Sequence, residues 1–177
     1  MNRTVAEIEA LFAAHGGESY GEGVTMLAHM LQAAALAESE GAGEALVIAA
    51  LLHDVGHFLQ PTDDSFGYHK HDRSGGEWLA KRFPPEVSEP VRLHVQAKRY
   101  LCAVETDYFA KLSPASVYTL SQQGGPMSTE EAGAFAASPH HQSAVRLRRW
   151  DDSGKVTGVT PRSLPQYLPL IAKLARS

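Results

Sequence analysis

Residues that can bind metal recur along this chain where helices are expected: His29, His53-Asp54, His71, His94 and Asp151. His53-Asp54 ends an apolar run, residues 45–52, with the length and continuity of a buried helix. Such a helix delivers an imidazole and a carboxylate into the protein interior. Burying them costs free energy unless they are paired or coordinated, and a metal ion meets that requirement. Four imidazoles and two carboxylates spread over five predicted helices suit two first-row metals of intermediate hardness, iron or manganese before zinc. The single cysteine, Cys102, offers no sulfur cage, so a structural zinc site is not expected.

Other polar residues stand at helical spacing around this set. His53 and His57 are four apart, as are His94 and Lys98; Arg148 and Asp151 are three apart, and Glu22 precedes His29 by seven. Each pair projects two functional groups in one direction, as a site in the core of a helical bundle requires. A lone histidine on an apolar helix face is more often a hydrogen-bonded core residue than a ligand. Lys98-Arg99 and Arg148-Arg149 also have the composition of solvated faces. His15, His69, His140 and His141 sit beside glycine, lysine, proline or other polar residues and read as surface groups. The six ligand candidates resist such a reading as a set.

The elements that must position them follow from periodicity and punctuation. Thr4-Val5-Ala6-Glu7 has the form of a capping box, Val5, Ile8, Leu11 and Phe12 follow at helical spacing, and His15-Gly16-Gly17 stops the helix. Residues 22–36 predict a second helix with a stripe of Val24, Leu27, Leu31 and Ala34. Gly41 and Gly43 precede the buried third helix that bears His53-Asp54. A polar loop at 63–67 leads to a fourth helix, 68–83, which Pro84-Pro85 breaks. A fifth helix spans 88–101, with Pro90 in its first turn, where its missing N–H costs little. The second half predicts helix over 108–120, interrupted at Ser113-Pro114, and another capped by Ser128. A further helix runs from Ser138-Pro139 to Trp150, and the tail 163–175 is helical. No strand pairing or βαβ alternation is present, so the expected fold class is all-α.

A chain of 177 residues is expected to form one domain, 1–177, with a single sizeable core. A net charge of −4 argues against nucleic acid as the main partner. One cysteine excludes an internal disulfide framework and fits a reducing cytoplasm. No apolar run approaches the roughly 20 residues of a membrane helix, and the N-terminus has no signal-peptide core. The expected location is the cytoplasm.

Several segments resemble a known family. The isolated His, then His-Asp, then a later Asp are the signature of the HD-domain superfamily of metal-dependent enzymes. Leu51-Leu52-His53-Asp54-Val55-Gly56-His57, His94-Val95-Gln96-Ala97-Lys98-Arg99-Tyr100-Leu101, Gln123-Gly124-Gly125-Pro126-Met127 and Arg148-Arg149-Trp150-Asp151 are similar to the HD-domain diiron oxygenases of organophosphonate breakdown, relatives of myo-inositol oxygenase. The resemblance implies a helical bundle with a dinuclear site in its core, and makes His29, His53, Asp54, His71, His94 and Asp151 iron ligands, with Asp54 as the bridge. It places Lys98, Ser116, Thr119 and Arg148 on the phosphonate and His57 over the substrate. Tyr20 and Glu22 would close the site and meet a substrate amine, here spaced Tyr-x-Glu where the family's amino-substrate enzyme has Tyr-x-x-Glu.

The implied activity is oxidative carbon–phosphorus cleavage of a 1-hydroxy-2-aminoethylphosphonate, in its primary amine or trimethylammonium form. Phosphate and glycine or glycine betaine are the products. The implied cofactors are two irons, Fe(II)/Fe(III), with dioxygen as co-substrate and an upstream hydroxylase supplying the substrate. Two other classes compete. A metal-dependent HD-domain phosphohydrolase acting on a phosphomonoester or nucleotide would use the same ligands to activate water. A non-catalytic regulatory domain would be expected to lack ligands, and all six positions are filled.

Overall fold

The apolar run before His53 folds as a helix that is buried on every side, and the other helices pack around it. The computed structural model describes residues 2–59 and 70–176. In chain order the helices are α1 (Arg3–His15), α2 (Met26–Ser39), α3 (Glu44–Leu52), α4 (Gly56–Leu59), α5 (His71–Ala80), α6 (Pro85–Val104), α7 (Pro114–Gln122), α8 (Thr129–Ala136), α9 (His141–Ser153) and α10 (Leu164–Leu174), with a 3₁₀ turn at Phe109–Lys111. Among the described residues, β pairing is confined to an isolated antiparallel bridge between Ser19 and Thr25. The class is all-α, as expected.

Residues Leu46 through Leu52 of α3 are all buried, which a helix apolar all round requires. α2, α6, α9 and α10 pack on it. The longest helix, α6, also packs against α5 and α9. Ile8, Phe12, Met30, Ile48, Leu51, Leu52, Leu79, Phe83, Val91, Leu147, Trp150 and Ile171 belong to one continuous core. Every helix that bears a ligand candidate is therefore anchored to the same apolar mass.

Local chemistry moves several boundaries. Asn2, not Thr4, caps α1 by accepting the Thr4 N–H, while Thr4 itself is buried. α2 starts at Met26, capped by Thr25, because Gly21 (φ 96°) and Gly23 (φ 82°) adopt the left-handed conformation that only glycine takes readily. Glu22 consequently lies in a loop and shares no helix face with His29, contrary to the expectation. α5 ends at Ala80, short of the expected 83, and α6 begins at Pro85, so Pro84-Pro85 opens a helix rather than ending one. Pro90 then falls beyond the first turn, at the cost of one ladder hydrogen bond. Ser138 makes a turn that His141 N–H joins at 3.2 Å, and α9 starts after it. The polar loop at 63–67, His69 and the start of the predicted fourth helix lie outside the described residues.

Two glycine contacts bring α5 close to its neighbours. A Cβ on Gly56 would lie 1.9 Å from the His71 carbonyl oxygen, and one on Gly76 would lie 2.7 Å from the Arg92 Cβ. The first contact sets the distance between the turn carrying Asp54 and the helix start carrying His71. Gly56→Ala is expected to push α5 away, lowering stability by about 1–3 kcal/mol and weakening metal binding at His71. Thermal unfolding together with metal analysis checks this; wild-type values for both would contradict the contact's role.

Candidate metal centre

Five elements deliver the six ligand candidates to one place. His29 comes from α2, His53 and Asp54 from the turn after α3, His71 from the first residue of α5, His94 from mid-α6 and Asp151 from late α9. The Nε2 atoms of His29 and His53 are 3.1 Å apart, and so are those of His71 and His94. Asp54 lies between the two pairs. Its Oδ2 is 3.5 Å from His29 Nε2 and 3.3 Å from His53 Nε2, while its Oδ1 is 3.4 Å from His71 Nε2 and 3.7 Å from His94 Nε2. One carboxylate thus presents one oxygen to each histidine pair. Asp151 Oδ1 joins the first pair, 3.3 Å from His29 and 3.7 Å from His53.

The hydrogen bonds behind the imidazoles fix which ring nitrogen faces inward. The Nδ1–H groups of His29, His53 and His94 donate to the carbonyls of Gly154 (2.9 Å), Ala50 (2.7 Å) and Val91 (2.6 Å). A carbonyl can only accept, so each Nδ1 holds the proton and, in a neutral ring, Nε2 turns a lone pair inward. Lone pairs 3.1 Å apart repel unless a proton or a metal cation lies among them. The same backbone contacts orient ligand imidazoles in metal sites. The donor set fits metal ions: the ligand atoms of His29, His53, Asp54 and Asp151 all lie within 4.8 Å of one another, and so do those of Asp54, His57 and His71.

The local field points the same way. Burial works against charge on Asp54, but His53 and the hydrogen bonds of His29 and His53 hold its pKa well below the carboxylate range. Burial likewise opposes Asp151, and Arg148 foremost overcomes it. Around the first pair these carboxylates outweigh burial and push His53 up to about 10. Burial keeps His71 and His94 below the ordinary imidazole value. The first pair therefore sits beside two carboxylates whose field favours a cation there.

A cavity of about 170 Å³ opens beside Asp54 and Asp151, lined also by Tyr20, Glu22, His57, His71, Val95, Lys98, Ala115, Ser116, Thr119, Gln123 and Arg148. This is small against the roughly 300–1,000 Å³ usual for ligand pockets. One wall is cationic. Lys98 Nζ donates to Thr119 Oγ1 at 2.8 Å and to the Ser116 carbonyl at 3.4 Å. Burial, aided by Arg148, brings its pKa down to about 7. The Arg148 guanidinium reaches Asp151 Oδ2 at 2.8 Å and Ser116 Oγ at 3.5 Å. Elsewhere in the lining, the Tyr20 ring stacks on His29 with centroids 3.9 Å apart, and its hydroxyl donates to Asp151 at 3.4 Å. His57 stacks on His71, with Nε2 3.9 Å from Asp54 Oδ1.

The expected site residues thus lie in one cavity or in the His/Asp cluster beside it. Three residues outside that expectation complete it. Tyr108 accepts from Arg148 Nε at 3.2 Å and donates to Asp152, which also pairs with the Arg148 guanidinium. The Arg148–Asp152 spacing of four was a readable signal. Lys155 pairs with Glu22 at 2.7 Å, and nothing local in the sequence announces that contact.

Comparison with known proteins agrees with this geometry. The HD domain family model matches residues 26–145. The chain is 44% identical over 168 residues to the hydroxymethylphosphonate dioxygenase of Gimesia maris, covering 92% of this chain and 84% of that protein. It is 38% identical over 176 residues to the glycine-betaine-forming 1-hydroxy-2-(trimethylamino)ethylphosphonate dioxygenase of Leisingera caerulea, covering 94% and 88%.

Because Asp54 offers an oxygen to each histidine pair, Asp54→Ala is expected to lose both metals, whereas Asp151→Ala, which touches only the first pair, should lose one. Metal analysis after gel filtration checks this. Retention of either ion at full occupancy by Asp54→Ala would contradict the bridging geometry.

Proposed function

We propose, from the premise that this chain belongs to the HD-domain family and within it to the hydroxyphosphonate dioxygenases, that it oxidatively cleaves the carbon–phosphorus bond of a 1-hydroxyphosphonate with dioxygen. The observation that carries this reading is the adjacency of two Asp54-linked histidine pairs to a small cavity with a Lys98–Arg148 wall. Two irons, as an Fe(II)/Fe(III) pair, are the proposed metals. His29, His53, Asp54 and Asp151 would hold one, and Asp54, His71 and His94 the other. When bound, the irons supply the capacity to reduce dioxygen, which imidazole and carboxylate side chains lack.

The chain's own residues bind and orient. Lys98 offers a point charge and Arg148 a planar fork to the phosphonate oxygens, with Thr119 and Ser116 hydroxyls beside them. This grip turns C1 and its hydroxyl toward Asp54 and Asp151. Asp151 and Asp152 hold Arg148 charged, burial opposing them and losing. His57, Tyr20 and Glu22 stand over the substrate and limit the water that reaches it. In the balanced reaction, C1 loses its bond to phosphorus and one to hydrogen, and four electrons pass from C1 to dioxygen. One oxygen atom enters the carboxylate and the other the phosphate, and one proton is released.

The relatives' names bring two substrates to this site: hydroxymethylphosphonate, which would give formate, and the trimethylamino compound, which would give glycine betaine. A primary-amine analogue would give glycine. The same reading treats residues 1–177 as one HD unit, working in the cytoplasm after a hydroxylase that installs the C1 hydroxyl. Among the described residues, no helix is long and apolar enough to cross a membrane.

The test is stoichiometry. Iron-loaded protein should consume one dioxygen for each phosphate released and release none under nitrogen. Phosphate release from a phosphomonoester or nucleotide without dioxygen would establish the hydrolase alternative instead. Lys98 adds a pH signature. Its ammonium binds the phosphonate below about 7 and loses its proton above that value, so kcat/KM should fall as pH rises through that region. Lys98→Met should lower kcat/KM about tenfold or more and abolish this alkaline limb; an unchanged limb would remove Lys98 from the binding role.

A further inference from the structure

The lining of the cavity includes two features that attract a cation, the Glu22 carboxylate and the face of the Tyr20 ring. Both are engaged by the chain itself. Lys155 Nζ lies 2.7 Å from Glu22 Oε2 and 5.2 Å from the Tyr20 ring centroid. The Lys155 and Glu22 side chains are only 11% and 19% exposed, so solvent screens the pair weakly.

Lys155 is also held from both sides. Gly154 before it accepts the Nδ1–H of His29 at 2.9 Å. A Cβ on Gly154 would meet the backbone of Trp150 at 3.0 Å and of Ala33 at 3.2 Å. Val156 after it is clamped to Gln32 of α2 by two hydrogen bonds, of 2.9 and 3.0 Å. The lysine therefore projects from fixed backbone beside a ligand of the metal centre.

We propose that Lys155 is a specificity-determining residue, an internal ammonium that occupies the cation position of the site. The cavity then favours hydroxyphosphonates with hydrogen or a small neutral substituent on C1, hydroxymethylphosphonate among them, and disfavours those with an ammonium or trimethylammonium group. A cationic substrate would have to displace Lys155 from Glu22 or bring a second positive charge against it, and either costs binding. The small volume of the cavity, about 170 Å³, acts in the same direction. The inference rests on the hydroxyphosphonate reading above and names the substrate class within it.

Calorimetric binding to the iron-loaded protein under nitrogen tests it without turnover. The probes are hydroxymethylphosphonate and 2-amino-1-hydroxyethylphosphonate. Wild type should bind the first at least about tenfold more tightly. Lys155→Met frees the Glu22 charge and should shift the ratio at least about tenfold toward the amino compound. The double variant Lys155→Met/Glu22→Gln, which leaves no buried unpaired charge, should lose that gained preference. A wild-type preference for the amino compound, or the same ratio in wild type and Lys155→Met, would overturn the proposal. Failure of the C–P cleavage reading would appear separately, as absent dioxygen-dependent phosphate release with the binding ratio intact.

Discussion

Two carboxylates, Asp54 and Asp151, are buried among imidazole lone pairs, and the rest of the molecule has to make that arrangement tolerable. Buried charges without compensation cost several kcal/mol each. Here the compensation is divided: Arg148 answers one oxygen of Asp151, and the remaining oxygens face histidine Nε2 atoms, with the rings of His29, His53 and His94 fixed by Nδ1–H donation to backbone carbonyls. Metal cations complete such a set. The apolar all-round packing of α3 serves this requirement, since it fixes where His53 and Asp54 emerge and keeps water away from them. The Gly56–His71 contact serves it too, because any larger residue there would move a ligand away from Asp54.

Asp151 links the His/Asp cluster to the Lys98–Arg148 wall. One of its oxygens faces His29 and His53 while the other holds Arg148. Arg148 is in turn braced by Asp152 and Tyr108. The cavity thus has carboxylates on its floor and cations on one wall within one small volume, a polarity that would orient the proposed hydroxyphosphonate. A third charge pair, Lys155 with Glu22, closes the remaining side without net charge. The site's selectivity follows from these three pairings more than from its shape.

Most of the ligand set was legible because each member is a polar residue placed among apolar neighbours at helical spacing, where an unpaired imidazole or carboxylate has no cheap explanation. Helix existence was legible for the same reason, since periodicity is a local property. Boundaries were less so. Glu22 falls off α2 because Gly21 and Gly23 take positive φ, a choice that a stripe of Val24, Leu27 and Leu31 conceals. Lys155 could not be read at all: its partner is remote in the chain, and a lysine after a helix-ending glycine looks like a solvated C-terminal residue. Asp152 is masked by its neighbour Asp151, although its spacing from Arg148 is that of an ion pair on one helix face. The phosphonate-binding roles proposed for Ser116 and Thr119 rest on family resemblance; their positions beside Lys98 and Arg148 are what the structure adds.

The central claim is that Asp54 joins two irons into one redox unit next to the anion-binding wall. Electron paramagnetic resonance of the iron-loaded protein, recorded under nitrogen before and after adding hydroxymethylphosphonate, tests it most directly. The account predicts the signal of a coupled Fe(II)/Fe(III) pair with half-integer spin, which changes on substrate addition. A protein that retains only zinc or magnesium and stays silent throughout, or one showing only isolated Fe(III), would contradict it.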